Sequence, residues 1–200
     1  MSVTARPESA KIDLNFGDGS LLRGLFKAAG ADDDRATALA AAVEDWRDID
    51  DLLHLNGAEE KEYAGAGLNY GPANKLFESV NELRLVLGMD EKMFACIRGD
   101  VTVLAQRASV DLDHASPLVR QAAGVNAQNP LGTQAGQSVI SGQAVVPGEV
   151  YEVTAEAVNA RLNVRRMASA VVRITGNPRD PFWVMAFSNA RPSDPACGPR

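Results

Sequence analysis

Cysteine, histidine and long apolar runs are all scarce in this 200-residue chain, and each scarcity excludes something. The two cysteines, Cys96 and Cys197, lie far apart and form no CxxC pair. A zinc site would have to recruit His54 and His114 as well, with no ligand-pair spacing to support it. Whether the two cysteines join in an oxidising compartment stays open on sequence alone. No apolar run approaches the roughly 20 residues that a membrane-spanning helix needs, and no signal peptide opens the chain. Taken alone, those two absences read as a soluble cytoplasmic protein. A strand-like segment almost directly after Met1 reads equally as a piece of something longer.

Positive charge is also in short supply. The net charge is −6, which argues against a general phosphate-binding surface, because nucleic-acid affinity comes mainly from Lys and Arg neutralising phosphates. The deficit is local: residues 31–62 carry eleven acids against three bases, whereas residues 149–191 carry six bases against four acids. What is present is ordinary globular material, 46% hydrophobic and 23% charged, so wholesale disorder is excluded.

The text changes character near Gln137, with helical spacing before it and alternation after it. Leu21, Leu22, Leu25, Phe26 and Ala29 mark one face of a helix that stops at Gly30. Asp32, Asp33 and Asp34 supply a cap and favourable charge for a second helix, whose buried stripe is Ala36, Leu39, Ala40, Val43 and Trp46. Residues 57–71 are glycine-rich loop with one helical turn at 60–64. Ser79 and Glu82 form a capping box for a short amphipathic helix ending at Gly88. Further short helices are expected at 90–97 and 116–123. Residues 125–136 carry strong turn chemistry and read as a connector.

Beyond it, Tyr151, Val153, Ala155 and Ala157 alternate with Glu152, Thr154 and Glu156, the period of a half-buried strand. A second strand is expected at 164–175 and a third at 182–187. Such a meander is marginal alone and needs a helix over one face, yet the β half of the sequence supplies none.

Chemical motifs are few. Asp48, Asp50 and Asp51, with Glu59 and Glu62 beyond a glycine turn, offer several carboxylate oxygens from one loop. That suits a hard cation such as calcium, which takes six to eight oxygen ligands, although the spacing is not that of an EF-hand. The competing reading is a solvated helix end that caps the next helix. No G-x-S-x-G context marks a nucleophile, and the glycines at 65, 67 and 71 lack dinucleotide spacing, so an enzyme is not expected. Residues 11–30 and 78–99 each resemble half of a helix-hairpin-helix, the alternative class of nucleic-acid-binding module. The acidic Gly88-Met89-Asp90-Glu91 hairpin opposes phosphate.

Taken in order, DWRDIDD at 45–51, NGAEEKEY at 56–63, GLNYGPANKLFESVNELRLVLGMD at 67–90 and RRMASAVVRITGNPRDPFWVMAF at 165–187 resemble the K-type minor pseudopilin family of type II secretion. KIDLN at 11–15 and VDLDHASPLV at 110–119 look like two copies of one short family element. The resemblance implies an α+β fold: a truncated pseudopilin core with a short antiparallel sheet, plus a large inserted all-helical domain. The expected division is a lead-in at 1–18, a helical domain at 19–124, a connector at 125–137, a β core at 138–191 and a flexible tail at 192–200.

It also implies a non-enzymatic assembly subunit at the tip of a short pseudopilus, with I-, J- and H-type subunits as partners. Such a protein is periplasmic, and its full-length form is anchored in the inner membrane by an N-terminal helix that packs over the sheet. That helix and its processing site are absent from this sequence. Family members bind calcium in the helical domain, which points to Asp48, Asp50, Asp51, Glu59 and Glu62 as structural ligands. Phe182 and Trp183, on opposite faces of the last strand, are the expected interface aromatics, with burial in the sheet as the competing reading for at least one of them.

Overall fold

The computed structural model describes residues 2–125, 148–159 and 164–188. Residues 126–147, which hold all but the first residue of the 125–137 connector and the start of the β half, residues 160–163, and the end of the chain from 189 with Cys197 lie outside the described residues. In order, the elements are β1 (Ser2–Pro7), β2 (Ile12–Asp13), α1 (Gly19–Ala28), α2 (Asp33–Arg47), α3 (Glu60–Gly65), α4 (Glu91–Ile97), β3 (Val101–Thr102), α5 (Pro117–Ala122), β4 (Val150–Asn159), β5 (Val164–Asn177) and β6 (Asp180–Ser188), with 3₁₀ segments at Glu8–Ala10 and Val80–Leu85. The fold is α+β.

The helices begin and end where side-chain chemistry dictates. The Asp18 carboxylate accepts from the Leu21 amide at 2.8 Å and opens α1, and Gly30 supplies the left-handed φ of 100° just beyond its end. Asp32 likewise accepts from Arg35 N at the start of α2. Leu21, Leu22, Leu25 and Phe26 of α1 meet Ala36, Leu39, Ala40, Val43 and Trp46 of α2 in one buried cluster. Trp46 stacks on Phe77 at 6.0 Å, and the buried Tyr63 hydroxyl accepts from Leu87 N at 3.0 Å.

One local feature differs from expectation, and another bears it out. The segment after Ser79 keeps its capping box, with Ser79 N donating to Glu82 at 2.8 Å, but it is 3₁₀ over six residues and not α. Its i→i+3 bonds run until Val86 turns extended, the use to which short 3₁₀ connectors are put. The two DL elements share geometry as well as text. Asp13 accepts from Asn15 N and Asp111 accepts from Asp113 N, and in each case the residue five positions after the Asp caps a helix, Asp18 for α1 and Ser116 for α5.

Helices α1 and α5 then pack together through Gly24. A Cβ there would lie 2.2 Å from the Ala122 carbonyl oxygen, and backbone cannot yield as a flexible side chain can. Gly24→Ala gains about 1 kcal/mol of helix propensity. It is nonetheless expected to destabilise the fold by about 1–3 kcal/mol through overpacking. Urea unfolding measures the balance, and a stabilised variant would show that α5 moves freely off α1.

Four strands form one antiparallel sheet in the order β1-β4-β5-β6, while β2 and β3 make a two-residue parallel pair within the helical part. The three-strand meander legible in the sequence therefore gains a fourth member from the start of the chain, with Pro7 opposite Tyr151 and Ser2 opposite Glu156. Ion pairs tie this sheet to the helical part. Lys11 Nζ reaches Glu8 at 2.7 Å and Glu152 at 2.8 Å, Arg6 reaches Asp100 at 3.0 Å, and Arg107 reaches Glu149 at 3.2 Å. Strand β6 lies at the far edge and is exposed along its whole length.

Candidate cation site and exposed sheet edge

The last turn of α2 carries Asp45, a carboxylate with no solvent exposure. The chain leaves the helix at Asp48, runs outward and returns so that its backbone meets Asp45. The Asp45 carboxylate accepts from Ala58 N at 2.6 Å and from His54 N at 3.1 Å, and it also contacts His54 Nδ1. Gly57 makes this return possible, because a Cβ at that position would sit 2.0 Å from Asp45 Oδ2. Donation from the His54 ring to the Asp45 carboxylate raises the His54 pKa, more than its partial burial lowers it.

Around this anchor lie carboxylates without enough partners. Asp48 Oδ1 and Glu59 Oε1 are buried and accept no hydrogen bond. Burial is the largest cause raising the Asp48 pKa, followed by the charges of Asp50 and Asp45. Glu59 is pushed up to about 7, by burial first and then by Asp45, Asp48, Asp51 and Asp50. Like charges gathered in a poorly hydrated place oppose one another's ionisation, and a bound cation removes that opposition. Asp45, Asp48 and His54 offer ligand atoms within 4.8 Å of one another.

Among the residues expected to hold a cation, Asp48 lies in this cluster, and Glu59 is near enough to feel the charges of Asp45 and Asp48 without joining it. Asp50 and Asp51 lie on the rim: Asp50 accepts from Leu52 N at 2.9 Å, and Asp51 accepts from Asn74 at 2.8 Å. Glu62 turns the other way and accepts from Glu59 N at 3.1 Å, capping α3. Asp45 and His54 are additions that sequence reasoning did not select. The available signal was the buried run Ala40-Ala41-Ala42, which widens the buried arc of α2 until it includes Asp45.

Phe182 and Trp183 are 52% and 63% exposed, so the competing reading of burial for one of them does not hold. Phe187 is also exposed, and neither side of β6 is covered. At the acidic hairpin, Asp90 accepts from Met93 N at 2.7 Å and pairs with Arg35 at 2.6 Å. The Met93 amide, then Arg35, hold its pKa below the ordinary carboxylate value, so a fixed negative charge stands where a hairpin would meet phosphate. Cys96 is disulfide-bonded; the other cysteine of the sequence is Cys197. Among the described residues no helix is long and apolar enough to cross a membrane.

Residues 4–106 match the family model described as type II secretion system (T2SS), protein K. The type II secretion system protein K of Pectobacterium carotovorum subsp. carotovorum is 39% identical over 74 residues, which is 37% of this chain and 23% of that protein. Its namesake from Klebsiella pneumoniae is 37% identical over 81 residues, 40% of this chain and 25% of that protein. The matched stretch thus spans about a quarter of the length of these relatives. In fold, the chain is similar to a chain in the crystal structure of the GspK-GspI-GspJ complex of the enterotoxigenic Escherichia coli type 2 secretion system. The TM-score is 0.63 at 16% identity, covering 95% of this chain and 79% of that one.

Proposed function

Because the chain belongs to the type II secretion system protein K family, we propose that it is a minor pseudopilin at the tip of the pseudopilus, a structural subunit of protein export and not a catalyst. The match over residues 4–106 carries this reading, and the likeness in fold across 95% of the chain supports it. In this reading the four-stranded sheet is a pseudopilin core, and the helical residues between β1 and β4 are a domain inserted into it. The protein works in the periplasm, and a hydrophobic helix upstream of Met1 anchors the full-length form in the inner membrane. The nucleic-acid alternative gains nothing from these comparisons, and the charge of Asp90 opposes it.

The partners are the I- and J-type subunits, with the H-type beside them, and the exposed β6 aromatics are the surface offered to them. Exposed aromatics tend to anchor protein contacts, and mutating them leaves a core untouched. Phe182→Ser with Trp183→Ser is expected to abolish co-elution with the cognate I- and J-type globular domains while the melting temperature stays unchanged. Undiminished co-elution would remove β6 from the interface, and failure of the unaltered chain to co-elute would remove the tip assignment itself.

Calcium is the proposed structural ion. The residues present fit it: two buried oxygens lack partners, and burial, then the neighbouring carboxylates, pushes the Glu59 pKa up to about 7. Asp48 and Glu59 would hold the ion from within, and Asp50 and Asp51 would complete the oxygen shell from the rim. Calcium supplies charge neutralisation and ties the 48–59 loop to the end of α2.

A further inference from the structure

The loop that carries the acidic rim also holds four large aliphatic side chains in water. Ile49 is 89% exposed, Leu52 75%, Leu53 52% and Leu55 87%. Single exposed aliphatics are ordinary, but four within seven residues form a patch, and such patches mark interaction sites. The loop is also held at several points. His54 N and Ala58 N donate to the buried Asp45, Leu52 N donates to Asp50, and Asn74 donates to Asp51. The backbone therefore presents these side chains in a fixed arrangement, which lowers the ordering cost of binding.

Charge states what kind of surface fits. Residues 44–62 hold eight acids and two bases, an excess of six that one bound calcium would reduce only to four, and the exposed Asp50 and Asp51 stand between Ile49 and Leu52 in the chain. An apolar knob on an acidic loop is repelled by anionic lipid headgroups and complements an apolar cleft rimmed by Lys and Arg. We propose that the 49–55 loop is a docking knob for a protein partner that presents a basic-rimmed apolar cleft, separate from the contacts assigned to β6.

A defined probe tests this without knowledge of the natural partner. It is a peptide of about 18 residues with Leu on one helical face and Lys on the other. It is compared with a Leu/Glu peptide and with vesicles of phosphatidylcholine alone or mixed with phosphatidylglycerol. The expected result is binding of the Leu/Lys peptide, weakened by salt, with none for the Leu/Glu peptide or either vesicle. The variant I49S/L52S/L53S/L55S keeps every acid, and it should bind on the order of tenfold or more weakly at an unchanged melting temperature. Retained binding by that variant, or loss of binding in F182S/W183S instead, would place the peptide elsewhere and overturn the proposal. Equal binding of the Leu/Glu peptide would remove the role of charge. Vesicle binding that the four-serine variant loses would make the loop a membrane contact instead.

Discussion

If the proposed calcium site is real, chelating calcium is expected to lower the melting temperature of this chain by about 5–10 °C, and restoring calcium to reverse the loss. The size follows from linkage: an ion at one hundred times its dissociation constant adds about 2.7 kcal/mol to the folded state. In a domain of this length each kcal/mol moves the melting temperature by about 2–4 °C. Asp48→Asn and Glu59→Gln should each erase most of the response. Glu62→Gln should keep it, because that carboxylate is engaged with Glu59 N.

The response should also grow with pH. In the calcium-free protein Glu59 keeps its proton up to about 7, against 4.5 as its ordinary value. Between those values the folded state binds more protons than the unfolded chain, so this group weakens the calcium-free fold as pH rises through the window. Calcium binds the ionised carboxylate and expels the proton, so its stabilising effect increases over the same range. Melting that ignores chelator, calcium and both substitutions would refute the site. Rescue by zinc but not by calcium would assign it to Asp45, Asp48 and His54.

Lys11→Ala is expected to destabilise the protein by about 3–5 kcal/mol, the cost of leaving a buried charge without its partner. Lys11 and Glu8 are both buried, and Lys11 Nζ lies 2.7 Å from Glu8 and 2.8 Å from Glu152. Removing the ammonium strands the Glu8 carboxylate between the helical part and the sheet. Replacing both buried members, as in E8L/K11M, should instead come out within about 1 kcal/mol of the parent or above it, since packed apolar groups avoid the desolvation penalty. Glu152 is partly exposed, so Glu152→Ala should cost no more than about 1 kcal/mol. Urea titrations at a shared slope decide among these, and a cost below about 1 kcal/mol for Lys11→Ala would show that water reaches the pair.

The elements that were legible in the sequence are those whose signals are local. Asp18, Gly30 and Asp32 punctuate α1 and α2 within a turn of their ends, alternation marks β4 and β5 from their own residues, and β6 shows as an apolar run after the break at Gly176-Asn177-Pro178. Partnership was harder to read. That β1 joins β4 depends on two segments separated by the entire helical part, and no local pattern encodes such a pairing. The cation site divides in the same way. Asp48 and Glu59 were visible as acids in one stretch, whereas Asp45 becomes important only because the chain returns at Gly57 and sets two amides and an imidazole against it.

The pairing of Pro7 with Tyr151 has a further consequence. Seen from the sheet, everything between those residues is one connection of a hairpin whose ends stand roughly 5 Å apart. Closing a flexible connection costs only about 0.6 kcal/mol more for each doubling of its length. Evolution can therefore lengthen, trim or exchange the helical residues without altering the register of the strands.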